Sequence, residues 1–327
     1  MSAPLLDVQN LTTQFHVRSG SLFGKSATLT AVDDVSFSLQ AGQTLGIVGE
    51  SGSGKSTIGR SILRLVESQK GRVVWQGNDL LKLSDEDMRR ARRDMQIIFQ
   101  DPLSSLDPRM TVADIIAEPL QIAEPKLTRK ERLLEVQKIM AAVGLAPEMV
   151  NRYPHEFSGG QAQRIGIARA IITRPKLVIC DEPVSALDVS IQAQILQLLD
   201  KLRQDFGLSL IFISHDLSVV RLVCDHVMVL YLGRVIESGP SSDVFNHPKH
   251  PYTQALLSAV PVPDPKLARG RKRVVLKGDP PSPINPPSGC VFRTRCAYAQ
   301  DICARKRPAF EGGEHGCACH FTDRLIV

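Results

Sequence analysis

The stretch from Gly49 to Thr57 has residue types and spacing that suit the binding of phosphate. In order it contains Gly49, Glu50, Ser51, Gly52, Ser53, Gly54, Lys55, Ser56 and Thr57. Its glycines let backbone N–H groups turn toward phosphate oxygens, because no Cβ stands in the way. We expect Lys55 to reach the β- and γ-phosphates of a nucleotide and Ser56 to bind Mg²⁺. The stretch therefore predicts a phosphate-binding loop.

The segments on either side of this loop supply the elements that would position it. The apolar run Thr44–Val48 predicts a buried strand, and Ile58–Leu65 predicts a helix. The N-terminus of that helix would add a partial positive charge beside the phosphates. The alternative is a glycine-rich turn with no ligand. It is disfavoured because strand, loop and helix occur in the required order.

Two carboxylates follow another predicted strand. Leu177–Cys180 is a short apolar run typical of a buried parallel strand, and Asp181 and Glu182 come directly after it. Sheets of α/β proteins bind ligands beyond the carboxyl ends of their strands. There Asp181 suits the outer shell of Mg²⁺, and Glu182 can polarise a water beside a γ-phosphate. An exposed acidic turn is the alternative interpretation.

Polar side chains also follow two further predicted strands. Gln100 comes after Met95–Phe99, and His215 comes after Leu208–Ile213 and Ser214. A single histidine is usually structural, whereas one at the same sheet edge as the carboxylates could contact the γ-phosphate.

Helical patterns lie between these strands. The apolar spacing from Thr111 to about Arg152 is helical and predicts an inserted helical subdomain. A second helix is predicted to open at Ser158, as its N-cap, and to run through Arg174. Its first residues, Gly159, Gly160 and Gln161, could bring backbone N–H groups close to an anion. On its own this string is also typical of a simple capping turn.

The composition is that of a globular protein. The net charge of the 327 residues is +6. Residues 265–327 hold 12 Lys/Arg and 5 Asp/Glu, a balance of +7, so residues 1–264 sum to −1. Such a tail predicts either a nucleic-acid or lipid contact or a solvated face. No run approaches the ~18 apolar residues that cross a bilayer, and Met1–Asn10 lacks the features of a secretory signal, so we expect a soluble, cytosolic protein.

The end of the chain differs in composition from the rest. Residues 261–287 contain eight of the 21 prolines, which predicts a linker or an irregular extension. Five of the seven cysteines follow it: Cys290, Cys296, Cys303, Cys317 and Cys319. In a reducing compartment this cluster favours metal ligation over disulfides. The alternative is a set of reduced cysteines packed in a small lobe.

Taken in order, these motifs resemble those of the nucleotide-binding subunits of ABC transporters. Gly49–Thr57 resembles a Walker A motif, Gln100 a Q-loop and Phe157–Gln161 the ABC signature. Leu177–Glu182 resembles a Walker B motif with its catalytic glutamate, Ser185–Asp188 a D-loop and His215 the switch histidine. The signature departs from the family in beginning with Phe157 rather than leucine. The base-stacking position falls on Phe15, where relatives commonly have tyrosine, although the sequence alone favours Phe15 as a core residue.

The resemblance implies both fold and site. It implies an α/β fold, an ABC-type P-loop ATPase with a RecA-like core, an antiparallel β subdomain and an inserted helical subdomain at about 101–160. The nucleotide-binding domain would span 1–260, and an irregular Cys-rich extension would span 261–327. Catalytic roles would fall on Glu182, His215 and Gln100, and Mg²⁺ would be bound through Ser56, Gln100 and Asp181. Ser158, Gly159, Gly160, Gln161 and Asp188 would contact ATP bound mainly to a second ABC subunit.

The branch of the family is narrowed by further motifs. Asp101–Pro108, His250–Thr253 and Pro280–Pro283 are similar to the dipeptide/oligopeptide importer ATPases. In that group Cys290, Cys296, Cys303 and Cys319 match cysteines associated with a [4Fe–4S] cluster, and Cys317 is extra. Their spacing is not the Cys-x₂-Cys of a zinc ribbon.

The resemblance also implies partners and a location. The partner ATPase would be a paralogue, with a homodimer as the alternative. Two transmembrane permease subunits would complete the transporter at the cytoplasmic face of the inner membrane, and a substrate-binding protein would act indirectly. The alternatives are uptake of nickel, glutathione or antimicrobial peptides by the same machinery, or a soluble ABC ATPase that acts on nucleic acid or ribosomes. No nucleic acid is expected as a partner of the importer.

Overall fold

The computed structural model describes residues 3–18, 26–261, 274, 276 and 278–322. Much of the predicted proline-rich linker at 261–287 lies outside the described residues. Within the part that is described, no helix is both long enough and apolar enough to cross a membrane.

The strands of the described residues are numbered in chain order. They are β1 (Leu6–Arg18), β2 (Ser26–Leu39), β3 (Thr44–Val48), β4 (Lys70–Trp75), β5 (Asn78–Asp79), β6 (Met95–Ile98), β7 (Leu177–Asp181), β8 (Ser209–Ser214), β9 (His226–Tyr231), β10 (Arg234–Pro240) and β11 (Gly316–Cys317).

The α-helices are numbered in the same way. They are α1 (Lys55–Ile62), α2 (Asp85–Ala91), α3 (Val112–Ala123), α4 (Arg129–Ala142), α5 (Gly159–Ile171), α6 (Val189–Phe206), α7 (Leu217–Val223), α8 (Ser241–Asn246), α9 (Pro251–Ala259) and α10 (Asp301–Arg305). Single 3₁₀ turns are found at Leu80–Lys82, Arg92–Asp94, Pro147–Asn151 and Pro154–Glu156.

The chain forms two compact units. Of the described residues, the helical unit contains 3, 39–44 and 82–213, and the phosphate-loop unit contains those within 4–38, 45–81 and 214–322. The helical unit therefore includes the predicted helical insert at about 101–160, and the phosphate-loop unit includes both the N-terminal strands and the described part of the Cys-rich extension.

In the helical unit a short parallel arrangement carries the polar residues of interest. β7 lies between β6 and β8 and is parallel to both. Every residue of β7 and β8 is buried, which explains why their sequences are apolar apart from Asp181, Ser209 and Ser214 at the strand ends. The helices begin at side-chain caps that the sequence supplies: the Thr111 hydroxyl accepts from the Asp114 N–H at α3, and Thr128 forms a capping box with Glu131 at α4.

In the phosphate-loop unit the strands form two groups. β1 pairs antiparallel with β4, β4 with β5, and β2 lies on the other side of β1. In the second group β3 is parallel to β9, β9 is antiparallel to β10, and β10 is antiparallel to the short β11. All five residues of β3 are buried, so the strand that precedes the glycine-rich loop is anchored in a core.

Candidate nucleotide site

The glycine-rich loop lies between β3 and α1, as predicted. Its glycines take backbone conformations that other residues rarely adopt, with φ of 76° at Gly52 and 99° at Gly54. A Cβ on Gly54 would lie 2.1 Å from the Ala31 carbonyl oxygen, and one on Gly49 would lie 2.3 Å from that of Leu230. The loop can therefore follow this path only with glycine at positions 49 and 54.

Lys55 is the first residue of α1 and folds back over the loop. Its Nζ donates hydrogen bonds to the carbonyl oxygens of Gly49 and Glu50, each at 2.9 Å. The side chain is 4% exposed, so the ammonium is held inside the curve of the loop. No side chain caps the N-terminus of α1, which suits a helix end that binds an anion.

Two hydroxyl groups accompany the lysine. Ser56 is half-buried in the first turn of α1, where a hydroxyl and a phosphate oxygen could both coordinate Mg²⁺. The Ser53 hydroxyl is buried and has no hydrogen-bond partner among the described residues. A buried polar atom without a partner is costly unless a ligand or water satisfies it. Glycine cradle, ammonium and hydroxyls together fit a magnesium–nucleotide phosphate group.

Asp181 and Glu182 lie at the carboxyl end of β7 in the helical unit. The Asp181 carboxylate is 1% exposed. Burial, and then the charge of Asp181, raises the pKa of the neighbouring Cys180 thiol to about 12, so Cys180 stays protonated and inert at neutral pH. Glu182 has φ of 48°, a left-handed conformation that is strained for a residue with a Cβ. A hydrogen bond of 3.0 Å from its N–H to the Ile213 carbonyl holds it there.

Gln100 meets Glu182, although the two are far apart in sequence. The Gln100 Nε2 donates to the Glu182 carboxylate at 2.9 Å. The contact arises because β6 and β7 are parallel neighbours, so the residues that follow them share one edge. The fold thus brings together two predicted site residues from separate motifs, while their roles stay a prediction.

The ABC-signature-like segment forms a capped helix N-terminus in the same unit. Ser158 is the N-cap of α5, with a 3.4 Å bond from the Gln161 N–H to its hydroxyl, as predicted. Gln161 Oε1 accepts from the Ser158 N–H at 3.0 Å, which completes a capping box. Ser158 and Gly159 are exposed, whereas Phe157 is 8% exposed and anchors the segment. A Cβ on Gly160 would lie 2.7 Å from Ile191 of α6.

Three other predicted site residues lie at exposed positions. Asp188 precedes α6 as its N-cap, without a hydrogen bond from its side chain to the helix. His215 follows β8 and is exposed, while Asp216 caps α7. Phe15 on β1 is 37% exposed, so the interpretation of Phe15 as a core residue is wrong. Its exposed ring leaves base stacking as a prediction.

The C-terminal cysteines lie in the phosphate-loop unit. Cys290, Cys296, Cys303 and Cys319 line one cavity of about 10 Å³, and none of the seven cysteines is in a disulfide. Cys317 lies apart in β11, where it pairs with Glu237. Burial, and then repulsion from its three neighbours, raises the pKa of Cys290 to about 11. No three His, Cys, Asp or Glu side chains of the described residues are arranged to hold a metal ion.

The sequence reasoning missed the residues that contact the outer side of the loop. Arg295 forms a bidentate ion pair with Glu50, and the Tyr252 hydroxyl accepts from the Glu50 N–H at 3.0 Å. The Glu50 carboxylate had no assigned role beyond its place in the loop. The only available signal was the position of Arg295 next to Cys296, in a segment for which metal ligation was predicted.

Two family models and several known proteins are similar to this chain. A family model described as ABC transporter matches residues 32–185, and one described as oligopeptide/dipeptide transporter, C-terminal region, matches residues 236–303. The oligopeptide transport ATP-binding protein OppF of Haemophilus influenzae is 56% identical over 96% of both chains. OppF of Salmonella typhimurium is 55% identical over 98% of this chain and 97% of its own.

Solved structures support the same relationship. The dimeric ATP-binding cassette MJ0796 bound to ADP and Pi is 27% identical, with a TM-score of 0.64 over 72% of this chain and 98% of its own. CbiO1 of Clostridium perfringens is 26% identical, with a TM-score of 0.63 over 75% of this chain and 92% of its own. The mixed α/β ABC ATPase fold is thereby confirmed.

Proposed function

The chain belongs to the ABC transporter family, in the branch of the oligopeptide transport ATP-binding proteins, and from this premise we propose that it hydrolyses ATP to power the uptake of di- and oligopeptides. The observation that carries the proposal is the phosphate loop, with Lys55 held over the Gly49 and Glu50 carbonyls. That loop occurs in a chain 56% identical to an oligopeptide transport ATP-binding protein.

We assign the chemical steps to the side chains predicted for them. Lys55 and the loop amides bind the phosphates and neutralise the charge that develops on the γ-phosphate. Ser56, Gln100 and Asp181 are the residues for Mg²⁺, which spreads that charge further when bound. Glu182 orients the attacking water, and the Gln100 amide holds the Glu182 carboxylate. His215 holds the γ-phosphate. The Gln100–Glu182 hydrogen bond of 2.9 Å supports these roles, because it places the residue proposed to bind Mg²⁺ beside the residue proposed to orient the water.

We further propose that the complete ATP site needs a second ABC subunit. Ser158, Gly159, Gly160, Gln161 and Asp188 would contact ATP bound to the Lys55 loop of that subunit. The exposure of Ser158 and Gly159 at a helix N-terminus supports this assignment, because both are accessible to a partner. Two of the similar structures are dimeric cassettes. A paralogue is the proposed partner and a second copy is the alternative; closure of the pair on ATP drives transport and hydrolysis resets it.

The permease subunits would dock on the helical unit. A groove of about 1350 Å³ lies beside β6 and α3. Its lining includes apolar side chains such as Ile97, Phe99 and Ile122. It also includes five arginines and three carboxylates and is net positive: Arg89, Arg90, Arg92, Arg93 and Arg169, with Glu86, Asp94 and Glu118. Arg169 stacks over Phe99 at 5.9 Å, and Ile122 is 55% exposed. An exposed apolar residue with a basic rim suits a short amphipathic helix with acidic ends. Binding there would keep the protein on the cytoplasmic face of the inner membrane.

Co-purification and transport test this function. Expressed with a paralogous ATPase and two permease subunits, the chain is expected to co-purify with them and to support ATP-dependent peptide uptake into proteoliposomes. Ile122→Asp should lower complex formation at least about tenfold, the size of one interface anchor. Leu134→Asp is the matched control, since Leu134 is 48% exposed on α4 outside the groove. A chain that co-purifies with RNA and not with permeases would contradict the proposal, and uptake of nickel or glutathione alone would change the cargo.

We also propose that Cys290, Cys296, Cys303 and Cys319 hold a [4Fe–4S] cluster. Four free thiols around one cavity support the proposal, because thiolates are the usual ligands of such clusters. The cavity of about 10 Å³ means that the side chains must move apart to admit a cluster. Since burial raises the pKa of Cys290 to about 11, the thiol must lose its proton on loading, and occupancy should fall as pH is lowered.

Anaerobic purification tests the cluster. The protein should be brown and absorb near ~400 nm. Cys303→Ser should remove the colour, whereas Cys317→Ser should keep it because Cys317 lies in β11 outside the cavity. Colourless protein that contains zinc, or no metal, would contradict the assignment.

A further inference from the structure

An ion pair joins the phosphate loop to the C-terminal extension within the phosphate-loop unit. Arg295 Nη1 lies 2.8 Å from Glu50 Oε2 and 3.1 Å from Oε1, and Nη2 lies 3.1 Å from Oε1. The arginine side chain is 8% exposed and that of Glu50 is 27% exposed. Bidentate pairs of this kind fix orientation as well as charge, and shielding from water makes them stronger than surface pairs. The pair therefore restrains the second residue of the loop.

Aromatic side chains hold Arg295 in place. Its guanidinium lies 5.9 Å from the centre of the Tyr231 ring. Tyr231 packs edge-on against Tyr252 at 4.8 Å and against Phe292 at 5.3 Å, with all three rings almost fully buried. Such contacts add stability beyond buried area. Packing of these buried rings thus fixes the position from which Arg295 contacts Glu50.

One of these aromatic residues, Tyr252, makes a second contact with Glu50. The Tyr252 hydroxyl accepts the Glu50 N–H at 3.0 Å, so that side chain and backbone of Glu50 are both held. Glu50 also supplies one of the two carbonyl oxygens that bind the Lys55 ammonium. A shift of Glu50 would therefore move an acceptor of the lysine that contacts phosphate.

Both contacts originate beside the cysteine cavity. Arg295 directly precedes Cys296, one of the four cysteines that line it. His250 lines the same cavity and caps α9, where its Nδ1 accepts from the Tyr252 N–H at 3.1 Å. Two contacts at Glu50 thus connect the surroundings of the cysteine cavity to the phosphate loop: the ion pair with Arg295 and the hydrogen bond with Tyr252.

We propose that Arg295 is a positioning residue for ATP binding: through Glu50 it holds the phosphate loop in its binding conformation and so makes nucleotide affinity depend on the C-terminal extension. This inference rests on the proposed ATPase function. Arg295 touches neither phosphate nor metal in this scheme. Its contribution is to reduce the conformational freedom that the loop would otherwise lose when ATP binds.

A double-mutant cycle on nucleotide affinity tests the proposal. With the full chain and a fluorescent ATP analogue plus Mg²⁺, Arg295→Met is expected to weaken binding about tenfold, the equivalent of about 1.4 kcal/mol. Glu50→Gln should weaken binding by a similar factor. The double variant should lose no more affinity than the more damaging single variant, because both substitutions remove the same interaction. Tyr252→Phe keeps the ring and removes only the oxygen, so a smaller loss of about threefold is expected from one lost hydrogen bond.

A split between KM and kcat distinguishes positioning from general structural damage. In the assembled transporter Arg295→Met should raise the KM for ATP about tenfold and leave kcat within about twofold, since the lost interaction acts on binding and not on the chemical step. Arg293→Met is the matched control: Arg293 also lines the cysteine cavity but bonds to the Ser288 carbonyl at 3.0 Å and not to the loop. Its ATP affinity should equal that of the wild type.

Specific results would overturn the inference. Unchanged affinity in Arg295→Met, or additive losses in the double variant, would show that Arg295 does not act through Glu50. If Arg295→Met does not fold, Arg295→Lys retains the charge without the bidentate geometry and should still weaken binding; wild-type affinity in that variant would overturn the proposal. If the wild type itself fails to bind ATP, the proposed function fails. If the wild type binds ATP and the Arg295 variants bind it equally well, only this inference fails.

Discussion

Glu182→Gln is expected to lower steady-state ATP hydrolysis about 10²- to 10⁴-fold while ATP binding is retained, the range that loss of a positioned general base produces. The substituted amide keeps the size of the side chain, and its oxygen can still accept the hydrogen bond from Gln100 Nε2, which is 2.9 Å long in this structure. It cannot attract a proton from water. The change therefore removes the chemistry and leaves the site assembled.

The same variant should accumulate as an ATP-bound dimer with its partner ATPase. If hydrolysis resets a pair that ATP has closed, a variant that binds without hydrolysing stays closed. Size-exclusion chromatography with ATP and Mg²⁺ is the measurement. Glu67→Gln is the control, because it makes the same chemical change at an exposed position. Rapid turnover by Glu182→Gln would remove Glu182 from its assigned role.

Local order made much of the site predictable. β3, the loop and α1 are consecutive, so their residues are close in space whatever the rest of the chain does. The meeting of Gln100 and Glu182 is not local, since 82 residues separate them. It was still predictable, because apolar runs of that length indicate parallel strands and polar residues after such strands share one edge.

Element boundaries were less predictable. The helix that begins at Ser158 was predicted to run through Arg174, whereas α5 ends at Ile171. Arg174 itself has φ of 52°, so its left-handed conformation ends the helical path before Pro175 does. At the end of α6, Gly207 adopts a left-handed conformation and ends the helix after Phe206.

Contacts of the C-terminal extension could not be predicted from the sequence. Glu50 and Arg295 are 245 residues apart, and no periodicity or motif links them. Charged residues are abundant in the chain, and which two form a pair depends on the packing of Tyr231, Tyr252 and Phe292.

Lys55→Ala is expected to reduce ATP affinity by at least about 10²-fold, because it removes the one side-chain ammonium in the curve of the phosphate loop and the charge-assisted hydrogen bonds it would give to phosphate oxygens. Lys55 is 4% exposed, so its charge acts with little screening by solvent. Alanine favours the helix at this position, so α1 should persist. The loss should therefore appear in binding rather than in folding.

The expected loss also distinguishes the lysine from the residues that hold the loop. Arg295→Met would leave Lys55 and the loop amides able to reach phosphate after a conformational cost, hence the smaller effect expected there. Lys55→Ala removes the contact itself, and no rearrangement of Glu50 can replace an ammonium. Titration with a fluorescent ATP analogue is the measurement, with Lys201→Ala as the control at an exposed position on α6. Unchanged affinity in Lys55→Ala would contradict the assignment of the loop, and with it the ATPase function that every later step requires.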